Sequence, residues 1–441
     1  MQLNLMLTKT WWAQFVASNW IILVNATSLV GTLVVTSGLG FAYWWVVARL
    51  FEPAEAGLAA AAISAMLWLG TVGMMGMGTL LIGELARRPQ IVASLITAAL
   101  IIAGASSIVL GVGFAVVAAY FSADFALLVE TWGNLLLFAA GVGITGIVLV
   151  LDQALLGLLR GSWQLWRNAV FALSKLLLLL PIGYFFNATG EMGIYAAWFI
   201  GNVLSLIFMV WLVGSKRLLR ADYRPRWDVF GEMRSMALVH HTLNLSLQAV
   251  QFAMPVIVAV MLSPEVNASF YVAWLIASSL FIVPTALTQA LYAVSAADVA
   301  MLAQKIRFTL RTSLLGVLVA GLVIEMVAEF GLNFFDPSYG ATATNSLRIL
   351  VVAAVPITIR VHYVAICQIR RELKHAAKLF SVAAVLELLL AIVGARFGGL
   401  TGLSVGWVIA VILEGMWMMP LVYRVAAQAK DVSSAIRGEI H

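Results

Sequence analysis

Twelve long apolar stretches, separated only by short turns, follow one another from residue 22 to residue 423. A helix needs roughly 20 residues to cross the hydrocarbon core of a bilayer, and most of these stretches reach that length. Membrane-spanning helices are predicted at 22–48, 57–82, 92–120, 131–155, 168–186, 192–214, 236–262, 267–294, 309–333, 345–368, 377–397 and 401–423. The pattern therefore predicts an all-α polytopic membrane protein with about twelve transmembrane helices.

The composition agrees with this class and excludes others. Hydrophobic residues make up 63% of the chain and charged residues only 10%, whereas soluble domains carry about 25% charged residues. The net charge of +6 comes from basic residues spread over short segments between apolar runs, which does not form a nucleic-acid surface. The single cysteine, Cys367, excludes an intramolecular disulfide, and neither a metal site nor a cofactor is predicted.

The distribution of basic residues predicts the orientation and the domain division. Most of the 26 basic residues lie in segments that alternate to one side, so both termini are expected in the cytoplasm. The predicted divisions are an interfacial segment (1–20), a six-helix lobe (21–214), a basic cytoplasmic linker (215–235), a second six-helix lobe (236–424) and a cytoplasmic tail (425–441).

The two lobes carry matching sequence markers, which indicates an internal duplication. Glu52-Pro53 after the first helix is matched by Ser263-Pro264 after the seventh, about 210 residues later. Asp124 is matched by Asp336 at a similar distance, and the pair Gly193 and Trp198 by the pair Gly402 and Trp407. Two copies of six helices share one orientation, so we expect two pseudo-symmetric bundles.

Polar side chains lie three or four residues apart on two equivalent helices, hence on one face of each. The residues are Asn25, Ser28, Thr32 and Thr36 in the first helix, and His240, Asn244, Gln248 and Gln251, with His241 beside them, in the seventh. We expect these faces to line a central water-accessible cavity. The alternative is hydrogen bonding between packed helices.

Two basic residues lie inside predicted membrane-spanning helices. Lys175 and Arg360 are placed in the cytoplasmic half of the membrane, where a buried cation costs on the order of 3 kcal/mol without a compensating anion. We expect them to bind an anionic group such as a diphosphate, with Arg49, His240 and His241 completing the predicted binding set. The alternative is an ion pair with a carboxylate such as Asp152.

Four carboxylates lie within predicted helices and are candidates for ion coupling, because burial favours the protonated form and allows proton exchange. They are Glu325, Glu387, Glu414 and Asp152. The alternative is hydrogen bonding between helices. The chain contains no phosphate-binding glycine loop with Lys, no HExxH and no GxSxG, so no enzymatic activity is expected.

The stretch 47–57 (VARLFEPAEAG) resembles the Arg, Pro-Glu and Gly turn of polysaccharide and O-antigen flippases of the multidrug/oligosaccharidyl-lipid/polysaccharide (MOP) exporter superfamily. The stretches 334–339 (FFDPSY) and 399–403 (GLTGL) resemble that family's second-half loop and closing helix pair. The resemblance implies a MATE-like fold in the bacterial inner membrane, and movement of an undecaprenyl-diphosphate-linked oligosaccharide by cation-coupled alternating access, for lipopolysaccharide or related surface polymers.

The same resemblance implies the partners. These are the lipid-linked substrate, membrane lipids, a polysaccharide polymerase and a chain-length regulator, with the protein itself a monomer that binds no nucleic acid. A cation-coupled multidrug antiporter of the same superfamily is the nearest alternative, and a membrane-embedded polysaccharide polymerase or ligase is the alternative of a different class. The longest external loop has only about a dozen residues, which is short for such an enzyme.

Overall fold

A computed structural model describes residues 37–438 apart from gaps at 86–87, 159, 186–189, 216–222, 226, 296–301 and 371. Four residues of the first polar stripe, Asn25, Ser28, Thr32 and Thr36, lie outside the described residues, as does the segment 1–20. The described part of the chain is helical almost throughout and contains no strand. The predicted all-α class is confirmed.

In the described residues of the first half there are eight helices, with short 3-10 turns before the fourth and fifth. They are α1 (37–50), α2 (Pro53–Gly73), α3 (Met77–Glu84), α4 (Val92–Phe121), α5 (Leu127–Glu130), α6 (Trp132–Gly157), α7 (Gly161–Phe185) and α8 (Gly190–Ser215). Helix α4 packs against α6, and α7 packs against α8.

Seven helices form the second half. They are α9 (Trp227–Met261), α10 (Pro264–Ser279), α11 (Ile282–Ser295), α12 (Leu302–Phe335), α13 (Pro337–Val352), α14 (Ala354–Ile369) and α15 (Leu373–Gly438). Helix α15 is a hairpin of two arms, because Gly398 and Gly399 leave the helical conformation and Gly399 has φ 56°. The arms approach closely at Gly394 and Gly402, where a Cβ on either glycine would overlap the backbone of the other.

The helices account for the predicted spans from 57 onward. Eight described helices are long and apolar enough to cross a membrane, and two bent pairs raise the number to ten if each counts as one span. The two arms of α15 match the predicted spans 377–397 and 401–423, and α1 is the end of the span predicted at 22–48. Four predicted starts were seven to nine residues late. The helices predicted from 168, 236, 309 and 345 begin at Gly161, Trp227, Leu302 and Pro337.

Prolines explain the two bent spans. Helices α10 and α11 meet at 40°, and α13 and α14 meet at 43°. Pro284 and Pro356 lie in the first turns of α11 and α14, where each lacks an amide proton and its ring clashes with the carbonyl four residues earlier. The bends separate helix segments inside the second half and leave room for a cavity.

The two halves meet where α1, α9 and α12 end, and this end of the bundle is called the turn end. Helices α2 and α10 cross at Gly57, where a Cβ would overlap the carbonyl oxygen of Pro264. Asn267 Nδ2 donates a hydrogen bond of 2.7 Å to the Gly57 carbonyl. Nearby, Trp45 Nε1 and Arg49 Nη2 both donate to the Phe334 carbonyl, at 3.1 and 2.9 Å. The halves are therefore closed against each other at the turn end.

Candidate functional site

A buried charged cluster lies between α14 and the two arms of α15. Arg360 Nη2 donates a hydrogen bond of 2.6 Å to Glu387 Oε1 and another to Glu414 Oε2. The Trp407 indole Nε1 donates to the second oxygen of Glu387, Oε2, at 2.6 Å. The side chains of Arg360, Glu387 and Glu414 are 12%, 3% and 7% exposed, so the cluster is desolvated.

Small residues bring these helices together. Gly415 on the second arm of α15 lies against Pro356 of α14, 2.7 Å from the proline Cβ to the position a Cβ on Gly415 would occupy. Gly406 lies against the Leu390 backbone of the first arm and leaves no room for a side chain. This close packing allows Arg360 to reach carboxylates on both arms of the hairpin.

The cluster has one more carboxylate than guanidinium, and two of its polar atoms are unpaired. Glu414 Oε1 and Arg360 Nε are buried and have no hydrogen-bond partner. Removing one member of a buried ion pair costs about 3–5 kcal/mol, because the remaining charge is uncompensated. The excess carboxylate can be balanced by a proton or a monovalent cation, which is the chemistry expected of ion coupling.

A cavity of about 470 Å³ adjoins the cluster, and we call it the second-half cavity. Arg360, Glu387 and Trp407 form part of its wall. The other lining residues are Leu247, Val250, Gln251, Trp274, Ser278, Phe281, Thr285, Thr288, Ile357, Val361, Val364, Ala365 and Gln368. Its wall thus combines aromatic rings, amides and hydroxyls with the Arg360–Glu387 pair.

Lys175 lies in a different environment in the first half. Its Nζ is 3.4, 4.6 and 4.8 Å from the ring centroids of Trp198, Tyr43 and Phe171, which form an aromatic cage that attracts a cation. Gly201 of α8 packs on the Lys175 backbone and Cβ and gives the side chain its space. Among the described side chains, no carboxylate lies within salt-bridge distance of Lys175.

The position of Lys175 along its helix differs from the predicted one. Because α7 begins at Gly161, Lys175 lies about 21 Å along the helix, near its middle. The alternative partner Asp152 is bound elsewhere: Arg167 Nε and Nη2 donate to its two carboxylate oxygens at 2.8 and 2.7 Å. Lys175 is 4% exposed and does not line the second-half cavity.

The remaining predicted cationic residues are dispersed. Arg49 lies at the turn end, and the side chain of His240 is outside the described residues. His241 is buried beside a mostly apolar groove of about 540 Å³ between α2, α4 and α9, and its Nδ1 has no hydrogen-bond partner among the described residues. The structure therefore does not gather Lys175, Arg360, Arg49 and His241 into one positive vestibule. Their role in diphosphate binding stays a prediction.

The predicted polar stripe of α9 is only partly brought to the cavity. Gln251 lines it, whereas Asn244 and Gln248 are half-buried and do not. Of the candidate ion-coupling residues, Glu387 and Glu414 belong to the charged cluster. Glu325 instead pairs with Arg348 at 3.7 Å, and both side chains are substantially exposed.

Sequence reasoning missed three residues of these sites. Arg167 was not among the predicted site residues but is buried against Asp152, and Trp407 served only as a repeat marker. Trp274 was not singled out at all. Tryptophan normally concentrates at the membrane interfaces, so Trp274 and Trp407, each inside a predicted span, were a usable signal.

Metal ligands are not grouped in the described residues, where no three His, Cys, Asp or Glu side chains lie close enough to hold an ion. Comparison with protein-family models gives no match, and neither does comparison with curated proteins. Solved structures do match, over nearly the whole chain.

Three of these structures show the range. An inward-facing multidrug resistance MATE family transporter of the MOP superfamily aligns with a TM-score of 0.73 at 16% identity, covering 91% of this chain and 98% of its own. An outward-facing conformation of such a transporter gives 0.62 at 17% identity, covering 92% and 96%. A MOP superfamily transporter from Pyrococcus furiosus, described as having a binding pocket of reversed polarity, gives 0.64 at 17% identity, covering 92% and 96%.

At these identities the likeness is one of fold. The chain is a multi-pass helical membrane protein that shares the fold of MATE transporters of the MOP superfamily.

Proposed function

We propose that this protein is an alternating-access transporter that moves an undecaprenyl-diphosphate-linked oligosaccharide from the cytoplasmic to the periplasmic leaflet of the bacterial inner membrane. The observation that carries the alternating-access part is the contact between α2 and α10. These helices begin at the equivalent Pro53 and Pro264 and cross at Gly57, where Asn267 hydrogen-bonds to the Gly57 carbonyl. The hydrogen bonds from Trp45 and Arg49 to the Phe334 carbonyl lie at the same end. We expect these contacts to separate when the halves rock.

The oligosaccharide substrate is supported by the sequence resemblance at 47–57, 334–339 and 399–403. In this proposal the linker 215–235 and both termini lie in the cytoplasm. The linker joins the two lobes, 21–214 and 236–424, which move relative to each other during transport. The protein acts as a monomer beside a polysaccharide polymerase and a chain-length regulator. Lys175 remains the candidate for the diphosphate, because its aromatic cage contains no described carboxylate.

Cation coupling is supported by the composition of the charged cluster. Glu387 and Glu414 outnumber Arg360, and Glu414 Oε1 is unpaired. A proton or a monovalent cation bound in the inward-facing state and released in the other would link transport to an ion gradient.

The test is transport in proteoliposomes that contain lipid-linked oligosaccharide extracted from the source organism. The fraction of oligosaccharide accessible to an external glycosidase is measured with and without a proton or sodium gradient. We expect gradient-dependent movement in the wild type and in Glu325→Gln, whose carboxylate lies outside the cluster, and none in Arg360→Met. Absence of movement under every gradient would overturn the proposal.

A cation-coupled multidrug antiporter is the second candidate function. The observation that favours it is the same excess of carboxylate, because a negative cluster beside aromatic rings attracts an organic cation. In the same proteoliposomes, gradient-driven uptake of a cationic dye without movement of the lipid-linked oligosaccharide would replace the first function by the second.

A further inference from the structure

We propose that the second-half cavity binds the sugar portion of the substrate, as a neutral saccharide subsite, and not its diphosphate. The inference rests on the proposed function and adds a site to it. Its grounds are the charge balance of the wall, the aromatic rings on it and the polar side chains that have no protein partner.

The charge balance of the wall is unsuited to ionic ligands. The Arg360 guanidinium is engaged by two carboxylates, so a diphosphate would meet a cation that is already neutralised. Both oxygens of Glu387 accept hydrogen bonds, from Arg360 and from Trp407, and Glu414 is not on the wall. At the wall itself an organic cation meets the Arg360 guanidinium and no carboxylate oxygen that lacks a hydrogen bond, because the excess carboxylate of the cluster, Glu414, is not part of the wall. A ligand without charge fits this wall best.

The aromatic rings on the wall suit a pyranose. Trp274 and Trp407 have ring centroids 4.8 Å apart at an interplanar angle of 64°, and Phe281 lies on the same wall at the α10–α11 bend. A pyranose ring presents aliphatic C–H groups on its faces and hydroxyls around its edge. The faces can pack on rings such as these, while the edge remains available for hydrogen bonds.

The polar side chains on the wall suit the edge of such a ring. Gln251 and Gln368 line the cavity, and neither amide is hydrogen-bonded to another described residue. Each amide offers donors and acceptors, as sugar hydroxyls do, and Ser278 and Thr285 add hydroxyls. Trp274 Nε1 is buried and has no hydrogen-bond partner among the described residues. Buried donors are nearly always hydrogen-bonded. After a small shift of the ring, Trp274 Nε1 could donate to a hydroxyl oxygen of the bound sugar.

The size of the cavity also agrees. A volume of about 470 Å³ falls within the range of roughly 300–1,000 Å³ usual for small-molecule sites. It can hold a short saccharide but not the polyisoprenyl chain as well. The cavity is thus a subsite, and the rest of the substrate lies elsewhere.

The first test uses Trp274→Phe and Gln368→Leu, with Trp211→Phe as the matched control because Trp211 is 64% exposed on the outer surface of α8. Trp274→Phe keeps a ring but removes the unpaired N–H and part of the buried indole, so the melting temperature of each variant is measured beside its KM. The KM for lipid-linked oligosaccharide should rise about three- to tenfold in both variants and stay unchanged in the control. A KM equal to that of the control in both variants would overturn the subsite.

The second test needs no transport. The free oligosaccharide released by mild acid from the same lipid-linked pool is titrated into the purified full-length protein, and binding is followed by calorimetry. We expect the wild type to bind the free oligosaccharide and Trp274→Phe to bind it more weakly. Neither inorganic diphosphate nor a cationic dye should displace the bound oligosaccharide. Displacement by diphosphate, or dye binding that depends on Trp274 without oligosaccharide binding, would contradict the inference.

The two tests separate the inference from the proposed function. Transport of the lipid-linked substrate with normal KM in both cavity variants would retain the function and reject the subsite. Binding of the free oligosaccharide in a protein that moves no lipid-linked substrate would reject the function and retain the subsite.

Discussion

The indole Nε1 of Trp407 donates a hydrogen bond of 2.6 Å to Oε2 of Glu387, deep in the second half of the protein. In the first half, Trp198 contacts the Nζ of Lys175, 3.4 Å from its ring centroid. The offset of about 210 residues that relates the repeat markers also relates Trp198 to Trp407 and Lys175 to Glu387. Equivalent positions in the two halves therefore keep the aromatic ring and reverse the buried charge.

Substitution of Arg360 should destabilise the fold, because it leaves Glu387 and Glu414 buried beside each other. For Arg360→Met we expect a loss of about 3–5 kcal/mol in the free energy of unfolding. Denaturant unfolding in detergent is the measurement. The triple variant Arg360→Met, Glu387→Gln, Glu414→Gln removes all three charges and should recover most of the loss. A single variant as stable as the wild type would show that the cluster is not tightly coupled.

Substitution of Glu414 should affect coupling more than folding. In Glu414→Gln, Arg360 keeps Glu387 as its partner, so the cluster becomes neutral and no longer attracts an extra cation. We expect transport to lose its dependence on the ion gradient while the melting temperature changes little. Transport with and without the gradient is compared for Glu414→Gln and for the control Glu325→Gln. Unchanged gradient dependence in Glu414→Gln would place the coupling ion elsewhere.

Substitution of Lys175 tests its ammonium group as the site of the substrate's diphosphate. Lys175→Gln removes the charge but keeps a long polar side chain, and we expect at least tenfold slower movement of the lipid-linked oligosaccharide, equivalent to about 1.4 kcal/mol. Trp198→Phe keeps a ring over the ammonium and should have a smaller effect. Flipping rates in proteoliposomes give the comparison. Normal rates in Lys175→Gln would remove this residue from the substrate path.

Substitution of Gly57 should open the turn end. A side chain at this position would overlap the Pro264 carbonyl, so Gly57→Val must push α2 away from α10. We expect faster modification of a cysteine placed at Val266 by an impermeant thiol reagent, in a background where Cys367 is replaced by Ala. Gly113→Val is the control, because a Cβ there meets nothing within 4 Å. Equal modification rates in the two variants would exclude this crossing as the closing contact.

Several elements followed directly from local sequence. Apolar length predicted the spans. Ser263 and Asp336, which served as repeat markers in the sequence, are N-caps of α10 and α13 in the structure, with Ser263 Oγ accepting from Val266 N and Asp336 Oδ1 from Ser338 N. These features depend on a few neighbouring residues and on the cost of unpaired backbone groups in lipid. These features can therefore be predicted from the sequence before the fold is known.

The partners of the buried charges were not readable in this way. The residues Arg360, Glu387 and Glu414 are far apart in the chain, and only the α15 hairpin and the bend at Pro356 bring them within hydrogen-bond distance. The sequence placed Asp152 at a depth in the membrane from which it could have paired with Lys175. The packing of α6 against α7 instead places Asp152 in hydrogen-bond contact with Arg167.

The sequence by itself determined that this chain is an all-helical membrane protein, because a bilayer imposes length and hydrophobicity on every span. It also carried the duplication. Only the tertiary structure decided which buried charges pair, which remain caged and where a cavity opens. Those outcomes depend on close helix crossings at glycines and on bends at prolines. A local sequence pattern can mark such a glycine or proline, but it does not predict which other helix packs against it.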